Sequence, residues 1–171
     1  MEKGQAYFYS EMKKKLYIET SVWNQLYRSN RPDWHEITKK FMGVMQRTDG
    51  YELYISNYVF IELEECYDEK KKVLLQWIQM EDSIECEALM EKYFEAGILE
   101  PTKANRYYDA AHVAACSVGG IEYLVTFNFR HLVKVQKIDA FNGVNLLHGY
   151  GSLNFATPEM FLPEEEYNGS L

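Results

Sequence analysis

The chain has 171 residues, 47% of them hydrophobic and 15% aromatic, with a formal charge of -8, which suits one packed domain and excludes a disordered polypeptide. The acidic surplus argues against a general nucleic-acid coat protein, which wants net or clustered positive charge, but not against a nuclease whose metal site is itself acidic. No apolar run approaches the ~20 residues needed to span a bilayer, and residues 1–15 are too polar for a secretory leader. Cys66, Cys86 and Cys116 form no CxxC pair, so buried thiols in a reducing, cytoplasmic setting are expected instead of disulfides or zinc.

Residues 1–11 read as an N-terminal extension and 163–171 as a tail, around one domain over 12–162. Leu16-Tyr17-Ile18 is a short apolar strand ending at the polar Glu19-Thr20-Ser21. A helix is expected from Asp33, where Glu36 completes a capping-box pattern after Pro32. Trp34, Ile37, Phe41, Val44 and Met45 then recur at helical spacing until Asp49-Gly50. Residues 51–56 alternate as a strand does, and 58–67 follow as a helix bearing Glu62, Glu64 and Glu65. A further helix is expected over 70–80, with a stripe of Val73, Leu74, Trp77 and Ile78. The next, over 86–94, stops at Gly97. After Pro101 the pattern predicts a helix over 107–117 closed by Gly119-Gly120, and a strand over 123–126 that delivers Asn128. A helix over 131–141, a strand over 153–155 and the N-cap pair Thr157-Pro158 complete the chain. Short strands alternating with helices imply parallel pairing through helical crossovers, hence an α/β sandwich.

In open α/β sheets function gathers at the carboxyl ends of the strands. Glu19 and Asn128 lie at two such ends. Asp109 stands at an expected helix start, where the helix dipole favours a carboxylate. Glu62 lies in the first turns after the strand over 51–56. Three carboxylates and an amide can therefore converge. Clustered carboxylates stay ionised together only beside a cation, and oxygen ligands favour magnesium or manganese over zinc. Such an ion can activate water and neutralise charge developing on a phosphate, which suits phosphodiester hydrolysis. The plain alternative is a solvated helix face over Glu62, Glu64 and Glu65, with Asp109 a helix-start residue only.

His112, one turn after Asp109, is either a contact to carboxylate or phosphate or a structural histidine. With Cys116 four residues on it lacks the partners for a soft metal. Arg130 and His131 are phosphate contacts or a surface pair. Lys13-Lys14-Lys15 and Lys70-Lys71-Lys72 either steer RNA or are solvated. No GxGxxG, P-loop or GxSxG is present, so nucleotide-binding and serine-hydrolase readings have no support.

The segments Leu16-Tyr-Ile-Glu-Thr-Ser-Val-Trp23, Ser56-Asn-Tyr-Val-Phe-Ile-Glu-Leu63, Asp109-Ala-Ala-His-Val-Ala114 and Leu124-Val-Thr-Phe-Asn-Phe-Arg-His-Leu132, with the closing Ala156-Thr-Pro-Glu-Met-Phe-Leu162, together resemble the PIN-domain family. They come in that order over nearly the whole chain. The resemblance implies a three-layer α/β/α sandwich with a short parallel sheet, and a magnesium- or manganese-dependent ribonuclease site. By position it places the metal ligands on Glu19, Glu62 and Asp109 and the fourth polar corner on Asn128. Thr20 or Ser21 would hold metal-bound water or substrate. Many relatives are VapC-like toxins, which implies RNA as substrate, a small antitoxin as partner and room for a homodimer through the apolar, aromatic helices between 67 and 94. The chain departs from the family pattern at Glu19 and Asn128, where aspartate is usual, leaving three formal charges where relatives have four. That leaves open a catalytically weak or inactive RNA-binding or regulatory module.

Overall fold

A strand whose residues are all apolar must be covered on both faces, and Leu16, Tyr17 and Ile18 are each fully buried, as expected of the centre of a parallel sheet. The computed structural model describes residues 12–27, 30–63, 78–80 and 83–167. In chain order these form β1 (Lys14–Ile18), α1 (Thr20–Tyr27), α2 (Pro32–Arg47), β2 (Tyr51–Ser56), α3 (Asn57–Glu62), β3 (Ile78–Met80), α4 (Ile84–Glu95), α5 (Ala104–Val118), β4 (Tyr123–Val125), α6 (Val135–Leu147) and β5 (Asn154–Ala156). A 3-10 turn (Pro158–Phe161) and a short α7 (Glu164–Tyr167) follow. The five strands make one sheet in the order β3-β2-β1-β4-β5, and every pair is parallel, with Leu16 opposite both Leu53 and Tyr123.

This is the α/β sandwich the alternation of elements predicts. α1 packs on α2 and α2 on the 3-10 turn, while α4 packs on α5 and α6, so helices flank the sheet in two groups. α5 carries an unbroken buried run from Ala110 to Cys116; small side chains on every face let it lie deep between its neighbours. Cys86 and Cys116 are free and buried, as expected, and no helix among the described residues is long and apolar enough to cross a membrane.

The order of strands decides where a site can form. The chain runs outward from β1 through β2 to β3, then returns to lay β4 and β5 on the other side of β1. Crossovers therefore leave the carboxyl ends of β1 and β4 in opposite directions, which opens a crevice there.

Several elements differ from expectation. α1 follows Glu19 at once, where only a polar edge was expected. α2 begins at Pro32 with Arg31 at its N-cap, and no side chain caps it. Proline suits the first helical position because its missing N–H is an orphan there anyway. Asp33 lies inside the first turn and pairs with Arg31 at 2.8 Å, so the capping box does not form. Residues 78–80, expected to end a helix, are β3, held by pairing with β2; the rest of that expected helix, with Cys66, Glu64, Glu65 and the lysines at 70–72, lies outside the described residues. α6 begins four residues later than expected, and β5 one residue later. The stop at Gly97 holds: its φ of 69° lets Gly97 N–H reach the Phe94 carbonyl and Ile98 N–H the Tyr93 carbonyl, the left-handed closure glycine adopts without strain.

Candidate metal centre at the sheet edge

Glu19 is the first residue after β1 and immediately precedes α1, so its carboxylate meets the free N–H groups of a helix start. Its Oε2 accepts the Ser21 N–H at 3.1 Å, the Ser21 hydroxyl and the Thr126 hydroxyl at 2.7 Å. Thr126 lies just past β4, so this oxygen pins together the two strands that border the crevice. Ser21 and Thr126 then accept from the backbone of the β4 loop, at Phe127 N–H and Asn128 N–H respectively, both at 2.9 Å.

Glu62 arrives from the other side of β1, as the last residue of the short α3. Its Oε2 accepts from the Thr20 hydroxyl at 2.5 Å and from His112 Nε2 at 2.7 Å. A carboxylate can only accept, so His112 carries its proton on Nε2. His112 Nδ1 lies 2.7 Å from the Tyr17 hydroxyl, which lies 2.6 Å from the Ser56 hydroxyl. In the neutral ring, Ser56 donates to Tyr17, Tyr17 to His112 and His112 to Glu62. Ser56 occupies the N-cap of α3 but makes no cap bond; its hydroxyl serves this chain instead. Burial pushes the Glu62 carboxyl up, yet the His112 hydrogen bond and charge, with Thr20, outweigh it and hold the group below the usual carboxylate range. For His112 burial works downward, and the bond to Glu62 with the charges of Glu19, Glu62 and Asp109 turns the balance upward.

Asp109 comes from α5. That helix starts at Ala104, three residues before the expected start, so Asp109 lies in its second turn, beyond the reach of the dipole. Its charge is met by side chains: Arg106 Nη1 donates to Oδ2 at 3.0 Å and Asn128 Nδ2 to Oδ1 at 2.7 Å. Burial nonetheless raises the carboxyl to about 6, with the charge of Glu19 adding to the rise and Arg106 opposing it.

Asn128 lies at this corner beside Asp109. Its side-chain oxygen accepts the His131 N–H at 3.2 Å, and its amide nitrogen faces Asp109. It holds an acid in place.

Glu19, Thr20, Ser21, Glu62, Asp109, Asn128, Arg130 and His131 all line one open cleft of about 350 Å³, joined by Asn24 and Arg106. Thr20 and Ser21 spend their hydroxyl protons on Glu62 and Glu19, so they brace the acids. His112, read from the sequence as a contact to carboxylate or phosphate or as a structural histidine, is 1% exposed and bonds the Glu62 carboxylate from behind. One ligand atom each from Glu19, Glu62 and His112 lie within 4.8 Å of one another, and Asp109 lines the same cleft. His131 is driven down to about 4, first by burial and then by Arg106, Arg130, Lys134 and Lys137. It is neutral at physiological pH, and two of these cations, Arg106 and Arg130, line the same cleft.

No family model matches the chain, and no curated protein matches it in sequence. Among solved structures it is similar to VapC20 of Mycobacterium tuberculosis, a toxin that cleaves the sarcin-ricin loop, with 16% identity over 69% of this chain and 93% of that one, at a TM-score of 0.48.

Sequence reasoning missed Arg106, Thr126, Asn24, Tyr17 and Ser56. Arg106 had a signal, the i,i+3 spacing to Asp109 on one helix face. Thr126 had a weaker one, as the strand-end hydroxyl two residues before Asn128. Tyr17 and Ser56 read as strand residues, and nothing local marks their hydroxyls as partners.

Proposed function

We propose that the chain is a PIN-type endoribonuclease that hydrolyses RNA phosphodiester bonds with a divalent metal ion, magnesium or manganese. The observation that carries this reading is the convergence of Glu19, Glu62 and Asp109 on one cleft rimmed by Arg106 and Arg130. The donor set fits such an ion: carboxylate oxygens line the cleft, which suits a hard cation, while His112 spends its Nε2 proton on Glu62 and orients that carboxylate. A bound ion supplies an activated water and charge neutralisation at the phosphate.

The chain's own residues do the positioning. Ser21 and Thr126 hold Glu19 by one oxygen, leaving Oε1 to the cleft; His112 and Thr20 do the same for Glu62 through Oε2. Arg106 and Arg130 orient the phosphate as charge-assisted donors. His131, being neutral, accepts or donates one hydrogen bond without adding charge. A small antitoxin, if the chain is a toxin, would cover this cleft.

Incubation of RNA with manganese tests the reading. Cleavage is expected, is stopped by EDTA, and falls at least about 100-fold in Asp109→Asn, the scale of losing one preorganised charge. Cleavage that survives EDTA or the variant unchanged overturns it.

A second reading, an RNA-binding or regulatory module without turnover, is favoured by one observation: both Asp109 oxygens already have donors, in Arg106 and Asn128. RNA binding without manganese-dependent cleavage would select it.

A further inference from the structure

Phe129 is a large apolar side chain left 42% exposed, on the loop that brings Asn128 and Arg130 into the cleft. A lone exposed phenyl needs no explanation. This one caps an ordered stack. Trp34 lies flat on the buried Phe127, with ring centroids 4.7 Å apart and planes within 3°. The Arg31 guanidinium covers the Trp34 ring at 4.1 Å and is itself forked onto Asp33 at 2.8 and 3.2 Å. Phe129 leans on both Trp34 and Phe127, at 5.8 and 6.5 Å. Phe127 and Arg31 are thus already engaged with Trp34, and Phe129 is the solvent-exposed ring of the group. Two bonds fix the loop behind it: Phe129 N–H to the Phe127 carbonyl at 2.8 Å, and Leu132 N–H to the Asn128 carbonyl at 3.0 Å.

Cations adjoin this ring. Arg130 follows Phe129 directly and, with Arg106, lines the cleft that this loop borders. A flat apolar ring next to clustered cations meets the two chemistries of an unpaired nucleotide, a base face and a phosphate. A duplex offers the phosphates but keeps its base faces stacked on one another.

We propose that Phe129 is a stacking platform for one unpaired base of the RNA, adjoining the phosphate in the acidic cleft, so that the substrate is single-stranded at the point of cleavage. This rests on the ribonuclease reading of the cleft. Trp34, Phe127 and Arg31 hold the platform; Phe129 touches the base.

Binding in EDTA tests it without cleavage, using a short single-stranded RNA that carries 2-aminopurine, and the same strand in a duplex. The wild-type chain binds the single strand more tightly than the duplex and quenches the probe. Phe129→Ala weakens single-strand binding about 5- to 150-fold, the loss of one stacked base, removes the quench and leaves duplex binding and melting temperature unchanged. Phe129→Trp restores both affinity and quench. Equal affinity of Phe129→Ala and wild type, no preference for the single strand, or no RNA binding at all overturns the proposal. If manganese-dependent cleavage persists while Phe129→Ala binds like wild type, the platform is wrong and the ribonuclease reading stands. If Phe129-dependent binding is seen without cleavage, the reverse holds.

Discussion

At the scale of single residues, the carboxylates at the sheet edge are held by different means. Glu19 relies on a helix start and two hydroxyls, Asp109 on an arginine and an amide, and Glu62 on a chain of hydrogen bonds that runs through the core. The last of these is the most exposed to mutation. Removing the Tyr17 hydroxyl leaves His112 Nδ1 and Ser56 without their shared partner in a dry environment, which costs about 1–3 kcal/mol. It also frees the His112 ring to turn, and with it the carboxylate it orients. Groups behind a metal ligand typically contribute 10- to 100-fold to affinity. Tyr17→Phe is therefore expected to weaken manganese binding by about tenfold or more by calorimetry, in a protein that still folds. Unchanged affinity would show that the chain Ser56, Tyr17, His112, Glu62 is a packing feature only. Of the acids, Glu19 was legible from its strand end, a local signal; Asp109 and Glu62 line the same cleft, but from a second turn and a helix end, not from the helix starts the sequence suggested. Behind them His112 was marked by its spacing from Asp109, but Tyr17 and Ser56 were not, since both look like ordinary strand residues until the fold sets Tyr17 2.7 Å from His112.

Between elements, the same logic of buried hydrogen bonds ties the helices of one layer. Tyr93 on α4 donates to Asn145 Oδ1 on α6 at 2.5 Å, and Asn145 donates to Ser117 on α5 at 2.9 Å. Burial pushes the Tyr93 phenol well above its ordinary range, so it stays a donor at any physiological pH. Tyr93→Phe leaves a buried amide oxygen unpaired and should lower the unfolding free energy by about 1–3 kcal/mol, measured by urea denaturation; a change below about 0.5 kcal/mol, the range of ordinary surface substitutions, would contradict this account of the helix layer. Elements with strong local periodicity, such as α2 and α5, were readable in type though not in boundary. Two were not readable. β3 is three residues long and is a strand only because β2 offers it a partner. α1 follows β1 with Glu19 alone between them, so the polar Thr20 and Ser21 look like a strand end when they are a helix start.

For the whole molecule, net charge and local field point in opposite directions. At -8 the protein repels RNA at long range, while Arg106 and Arg130 line the same cleft as its three acids. A bound divalent ion would join these cations and offset the acids, so metal and RNA are expected to assist one another there. Neither the strand order nor this distribution of charge can be read from composition, because both depend on which side of β1 the chain returns to after β3. The most direct measurement is a calorimetric titration of manganese into the metal-free wild-type chain and into Asp109→Asn. The account predicts saturable binding to the wild type that the variant weakens at least about tenfold. No binding heat in the wild type, or the same isotherm in both, would contradict it.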